Sequence, residues 1–465
     1  MGKLLELLKA PAPALRQRLL SGSVWAFAGK MVAALAQLAV GALLARLLSP
    51  RDMGAYFLAF SLVSLGALAG SSGISQAGVR FIAESVGLDQ YGRMRRVVGM
   101  VLVFGVLGAS CVGFAYLLFG HVLGTELFRS PALAAVTGLV AAWMAVTSLQ
   151  GLLAETFRGF HDIRLTTVFG GSVTGGGLLT GAMLVASLGL LLLLEKQTTL
   201  AVVLVPAIGS GLITVLLAGM ALRRKVVSFA RRDTPEGQIA PSEVLRVVWP
   251  LLVTNVVLFA VTQADLWIMG AFRPQEEVAV YGAAARVVFL VSMPLQVANA
   301  VIPPLIAEMY SQGKRRALER VLRATATLAG IPALLVLIVL VLLGGPVLGE
   351  VYGEYYRGGA AVLTLLSLGQ LVNVWVGSCG MTLGMTGHQS ALMVITVACA
   401  AITIVVGLGV VDQYGATGVA AATAGGLTLQ NLSMWLAARF TTGMWTHAVI
   451  VSLPGLVKSV IKRGD

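Results

Sequence analysis

Apolar and charged positions alternate along this chain in long blocks. Stretches free of Asp, Glu, Lys, Arg and His cover 53–79, 97–119, 132–154, 165–194, 197–222, 247–264, 287–307, 324–349, 358–387, 389–411 and 413–438. A twelfth apolar stretch, around 23–48, is interrupted only by Lys30 and Arg46. Roughly 20 apolar residues make a helix long enough to cross the hydrocarbon of a bilayer. The pattern therefore predicts an all-α integral membrane protein with about twelve transmembrane helices. The polar segments between the blocks are short, and none could hold a separate soluble domain of ~100 residues.

Composition agrees. The 465 residues are 57% apolar and only 11% charged, with a mean hydropathy of +0.90. An ordinary soluble domain carries about 25% charged residues. A disordered chain, a secreted disulfide scaffold and a cytosolic enzyme are all excluded on this ground. Cys111, Cys379 and Cys399 fall in apolar runs without a CxxC partner, and the four histidines are scattered. They predict small packing residues rather than a zinc site.

The net charge of +13 has a topological explanation. Basic residues in short loops face the cytoplasm. With the N-terminus inside, alternate loops gather Arg93, Arg95 and Arg96, then Arg158 and Arg164, then Arg223 to Arg246, then Lys314 to Arg323. With the two ends of the chain, the inner side holds twenty-four basic residues against five outside. This predicts a multi-pass membrane protein with both termini cytoplasmic, and it requires no nucleic-acid partner. The first 20 residues carry Lys3, Lys9, Arg16, Arg18, Pro11 and Pro13 and lack the apolar core of a cleavable signal, so the first span is expected to act as an uncleaved anchor. The tail 446–465 mixes Val449, Leu453, Leu456, Val460 and Ile461 with Lys458, Lys462 and Arg463, a pattern expected of a helix lying on the inner surface.

The chain also repeats. At an offset of 224, Trp25 meets Trp249, Pro50 meets Pro274, and Ile82-Ala83-Glu84 meets Ile306-Ala307-Glu308; Tyr56 meets Tyr281 with one inserted residue. The expected organisation is a cytoplasmic segment 1–20, an N-lobe 21–222 of six spans, a cytoplasmic linker 223–245, a C-lobe 246–438 of six spans, and a cytoplasmic or interfacial tail 439–465. An even number of spans per half makes the repeat parallel, with a pseudo-two-fold axis along the membrane normal. In repeat-built transporters, substrates bind near the midplane and rocking of the halves gives alternating access.

Ionisable groups inside spans cost about 2.5–3.5 kcal/mol on insertion scales and therefore face cavities or partners. Lys30, Arg46, Asp265 and Arg286 all fall on the first two spans of a half. Gln37, seven residues from Lys30, shares its helix face, and Gln263, Asn255, Gln296 and Asn299 add polarity in the second half. One expectation is a wet, net-positive cavity able to hold an anion such as a phosphate, with Lys30, Arg46, Gln37, Asp265, Arg286 and Gln263 as its lining. The structural alternative is that Asp265 pairs with Lys30 or Arg286 while Arg46 reaches the headgroups. Arg80 and Glu84 are expected to form an interfacial or gating pair at the inner end of a span. Pro250, Pro294, Pro303, Pro304 and Pro332 predict helix kinks, and Gly170-Gly171 with Gly175-Gly176-Gly177 predict close packing or a hinge. There is no Walker sequence and no long loop bearing paired carboxylates, so the sequence does not support an enzyme.

Several local sequences resemble one family. They are Leu44-Ala45-Arg46-Leu47-Leu48-Ser49-Pro50 with Gly54-Ala55-Tyr56, and Gly73-Ile74-Ser75-Gln76-Ala77 ahead of Arg80-Phe81-Ile82-Ala83-Glu84. In the second half they are Asp265 before Leu266-Trp267-Ile268-Met269-Gly270, Tyr281-Gly282-Ala283-Ala284-Ala285-Arg286, Tyr352-Gly353-Glu354-Tyr355-Tyr356, and Leu383-Gly384-Met385-Thr386-Gly387. In order and spacing they resemble the bacterial polysaccharide-transport (oligosaccharide or O-antigen flippase) family. Its superfamily also holds the multidrug and toxin extrusion transporters and the lipid II flippases. The resemblance implies a V-shaped, two-lobed fold with a central cavity. It implies translocation of a polyprenyl-diphosphate-linked glycan to the outer leaflet, with membrane lipids and polysaccharide polymerase or assembly proteins as partners. Sibling members with basic cavities use arginines for the pyrophosphate; by position rather than by motif, Lys30, Arg46 and Arg286 are the candidates here. No cofactor is expected beyond a proton or sodium ion for coupling. The alternatives are a cation-coupled multidrug antiporter or a lipid II flippase; lipid II flippases generally have fourteen spans, against twelve here.

Overall fold

The computed structural model describes residues 31–170, 177–194, 197–230, 241–299 and 302–449. Among the described residues the regular elements are all helices. The principal ones are α1 (Met31–Leu47), α2 (Pro50–Gly87), α3 (Tyr91–Val122), α4 (Thr137–Gly159), α5 (Ile163–Phe169), α6 (Leu178–Leu194) and α7 (Leu200–Ala230). They continue as α8 (Pro241–Phe272), α9 (Gln275–Asn299), α10 (Ile302–Ser311), α11 (Arg315–Tyr352), α12 (Ala360–Val376), α13 (Cys379–Met385) and α14 (Gln389–Thr442).

Nine described helices are long and apolar enough to cross a membrane, and α1 and α6 are shorter apolar helices. α14 is two spans: Gly415 departs to φ 53°, ψ −138°, and the chain folds back so that Gly426 lies against Thr403. With that division there is one apolar helix for each of the twelve predicted spans.

Boundaries moved where charge-free windows are a poor guide. The stretch 358–387 breaks at Gly377 (φ 73°), and 165–194 breaks between Phe169 and Leu178. α9 begins at Gln275, twelve residues before the charge-free run, because Glu276 and Glu277 favour a helix N-terminus. Of the kinks expected from proline, none falls at Pro294 or Pro332, where the helix stays regular, and Pro303 and Pro304 sit at the start of α10. The non-helical backbone falls at Leu343 and Gly415 instead. At the end of the chain, 443–449 is irregular rather than helical, which corrects the surface-helix expectation for the described part of the tail.

The repeat is written in backbone hydrogen bonds. After α2, Leu88 N donates to Glu84 O, Asp89 N to Val86 O and Gln90 N to Ser85 O; after α10, Gln312 N donates to Glu308 O, Gly313 N to Tyr310 O and Lys314 N to Met309 O. Every atom pair is displaced by 224 residues. Positive φ recurs in register too, at Asp89 and Gly313, Arg129 and Gly353, and, displaced by 226, His161 and Gly387. One landmark shifts. Met53 N donates to Ser49 O, and Val278 N to Pro274 O, so Pro274 stands opposite Ser49 rather than Pro50.

The chain forms two compact units. The first runs through the described residues to Gly282 and includes Val351–Gly353; the second is Ala283–Glu350 with the residues from Glu354 onward. The sequence placed its dividing linker at 223–245, whereas α8 groups with the helices before it. The reason is close packing on α2. A Cβ at Gly73 would lie 2.3 Å from Val248 O, and one at Gly270 would lie 2.6 Å from Leu58 Cδ2. Trp267 Nε1 donates to Ser61 Oγ at 2.9 Å. The first unit's core joins Phe81, Ile82, Tyr91, Met94, Phe157, Leu222 and Val248. The second unit holds one cluster around Ile306, Leu318, Leu322 and Met444 and another around Val376, Leu383 and Met434.

Candidate functional site

Asp265 lies in the apolar part of α8 and Tyr281 in the second turn of α9. The Tyr281 hydroxyl donates to Asp265 Oδ2 at 2.6 Å, and the Leu266 backbone N–H donates to Oδ1 at 2.8 Å. The carboxylate is therefore held by a phenol rather than left to bare hydrocarbon. Tyr281 is fully buried, at 1% exposure, while Asp265 is half-buried. Trp267, two residues on, leaves α8 on the opposite side and anchors that face to α2 through Ser61. Gln263 is also two residues from Asp265, so the two side chains cannot share one face of α8.

The other sequence-selected residues are dispersed. Lys30 lies outside the described residues. Gln37 is half-buried on α1, and Arg46 is exposed near its end. Arg286 is half-buried on α9. Arg80 and Glu84 do not pair with each other: Glu84 Oε1 bridges to Arg93 at 3.1 Å across the turn into α3, and Arg80 lies over the Phe81 ring at 5.7 Å. An i, i+4 spacing allowed the Arg80–Glu84 pair, but the turn brings Arg93 back to the same carboxylate.

A second polar centre, not picked out from the sequence, sits where α5 stops. Gln150, 4% exposed on α4, donates through Nε2 to Thr180 Oγ1 at 2.6 Å, Gly170 O at 3.2 Å and Phe169 O at 3.4 Å. Thr180 Oγ1 in turn lies 2.9 Å from Thr214 Oγ1. The amide satisfies carbonyls that a broken intramembrane helix would otherwise leave unpaired. Near the other end of α5, Asp162 caps the helix through Leu165 N and forms an ion pair with Lys225 of α7. The signals available in the sequence were the glycines at 170–177 and an uncharged Gln in an apolar run; neither names its partners.

Among the described residues no three His, Cys, Asp or Glu gather as metal ligands. The site chemistry is that of a carboxylate held by a phenol and of polar helix junctions. Together with the apolar helices of the described residues in a repeated arrangement, it defines a polytopic helical membrane protein.

The solved structures similar in fold belong to that class. One is the inward-facing conformation of a multidrug resistance MATE family transporter of the MOP superfamily, with a TM-score of 0.72 and 15% identity over 93% of this chain and 96% of that one. A Vibrio cholerae MATE transporter, VcmN, gives 0.64 and 12% over 92% and 97%. The lipid II flippase MurJ, in an inward closed conformation, gives 0.61 and 13% over 90% and 87%. A search of curated proteins found no match. The family model described as "Polysaccharide biosynthesis protein" matches residues 19–310, and the chain belongs to that family. A second family model, MatE, matches 250–408.

Proposed function

We propose that this protein is a flippase that moves undecaprenyl-diphosphate-linked oligosaccharide, a polysaccharide repeat unit, from the inner to the outer leaflet of the bacterial cytoplasmic membrane by alternating access. The observation that carries the reading is membership of the polysaccharide biosynthesis family over 19–310. The chemistry is consistent with it. Sugars and a diphosphate cannot cross hydrocarbon, while a prenyl tail can stay within it. Lys30, Arg46 and Arg286 are the candidates for holding the diphosphate, with Gln37 and Gln263 as polar lining. An inside-negative potential favours outward movement of negative charge by about 2.3 kcal/mol per charge per 100 mV. Asp265, held by Tyr281, is the candidate for the coupling proton or sodium ion.

The test is a deletion strain carrying plasmid-borne variants. Loss of the protein should make lipid-linked glycan accumulate on the inner leaflet, and Lys30→Ala with Arg286→Ala should fail to relieve it while reaching the membrane normally. Full export by that double variant would remove the cationic-site assignment.

The MatE match over 250–408 supports a second reading, a cation-coupled drug antiporter. Unchanged glycan with new drug sensitivity in the deletion strain would favour it.

A further inference from the structure

Immediately after α14 the chain turns back across the ends of α11 and α12. Gly443, at φ 77°, ends the helix, and Met444 enters the cluster of Ile306, Leu318 and Leu322. Thr446, fully buried, donates to Val376 O at 2.7 Å. Ala448 N donates to Trp375 O at 2.8 Å, and Val449 N to Thr327 Oγ1 at 2.9 Å. Segment 443–449 is thus a strap, bonded by side chain and backbone to two helices that precede it by 70 residues or more.

His447 is the residue on which the strap closes. Its ring lies 5.4–5.5 Å from those of Trp375, Trp435 and Trp445. Its two nitrogens both face donors: Trp435 Nε1–H donates to Nδ1 at 3.1 Å, and the Arg323 guanidinium Nη2 is 3.4 Å from Nε2. A neutral imidazole always keeps one lone pair and can accept from one of these donors. An imidazolium has two N–H groups and can accept from neither.

We propose that strap 443–449 is a pH-operated latch, closed on α11, α12 and α14 while His447 is neutral and released when the imidazole takes up a proton.

The charged groups around the ring define the sign. From α11, Arg323 opposes a second positive charge, and Glu319, 3.7 Å from Arg323, partly offsets it. From α14, Arg439 bonds Gly443 O and lies 4.9 Å over the Trp445 ring, adding a further cation near the strap. α12 contributes Trp375 and no ionisable group. The indole rings would attract a cation, but from 5.4 Å and beyond, whereas the guanidinium repels one from 3.4 Å. Burial first, and Arg323 second, push the His447 pKa below the ordinary imidazole value, with Glu319 pulling the other way. A His with a depressed docked pKa favours the closed strap above the free value of about 6.5. Closure then weakens as pH falls below that value, by up to about tenfold per pH unit until the docked pKa is passed.

The measurement is hydrogen exchange of the 443–449 peptide in the full-length protein in lipid nanodiscs, corrected for the intrinsic pH dependence of exchange. Between pH 7.5 and 5.5, protection at Ala448 and Val449 should fall, by up to about tenfold, while peptides in α12 stay constant. His447→Phe keeps a ring and removes the titration, and should abolish the pH response. If that variant is open at every pH, Arg323→Gln decides: removing the opposing cation brings the docked pKa back toward the free value and should shrink the loss of protection between pH 7.5 and 5.5. Unchanged protection in the natural protein overturns the proposal. So does an equal response in His447→Phe, or an undiminished response in Arg323→Gln.

Discussion

Tyr281 of α9 donates its hydroxyl hydrogen to Asp265 of α8 at 2.6 Å, joining the two helices across the short turn after Phe272. A hydrogen bond to a charged group contributes about 1.5–3 kcal/mol. Tyr281→Phe should therefore lower stability by about that amount, read as a fall in Tm in detergent. Asp265→Asn keeps the shape and removes the ionisable group. If the carboxylate couples transport, it should lose most export with a smaller fall in Tm, and the two variants will separate structure from coupling.

The left-handed positions give an internally controlled experiment. Arg129 (φ 44°) and His161 (φ 57°) are exposed, and their counterparts in the repeat, Gly353 and Gly387, are glycines. A non-glycine residue pays about 1–2 kcal/mol there. Arg129→Gly and His161→Gly should raise Tm, whereas Gly353→Ala and Gly387→Ala should lower it. Asp89→Gly should be close to neutral, because it also removes the Tyr91 hydroxyl's bond to Asp89 Oδ1 at 2.5 Å.

Close helix approach predicts unequal costs for equal substitutions. A Cβ at Gly54 would lie 2.0 Å from the backbone oxygen of Gln275, and one at Gly66 would lie 2.1 Å from Met144 Sδ. Methionine is flexible and can move; a helix backbone cannot without disturbing its neighbours. Gly54→Ala should cost more than about 3 kcal/mol, at the upper end of single substitutions, and Gly66→Ala clearly less. Comparable unfolding midpoints for the two would contradict the contact.

Gln150→Leu should leave Gly170 O and Phe169 O without their side-chain donor. An unsatisfied buried polar group costs about 1–3 kcal/mol. The expected result is a lower Tm and faster hydrogen exchange in α5 and the start of α6, with α11 and α12 unaffected.

Much of this was legible beforehand. Glu84 and Glu308 were matched by sequence, and the turn after each uses the same hydrogen bonds. The match of Tyr56 to Tyr281 was also visible, yet nothing local indicated that Tyr281 meets Asp265. Arg80 and Glu84 were placed together by helix spacing, but Arg93, nine residues on, took the carboxylate. The pattern of the tail around His447 is amphipathic, but its first residues pack among tryptophans from α12 and α14.

Helix number and the repeat followed from residue order alone, because excluding charge from hydrocarbon acts on every span separately and needs no distant contact. Tertiary structure decided which polar atoms meet: Asp265 with Tyr281, Gln150 with the end of α5, and Thr446 and His447 with helices far earlier in the chain. Hydrogen bonds are short and directional, so their partners are set only when packed helices fix side chains to within an ångström or so, and one-dimensional order carries no such distance.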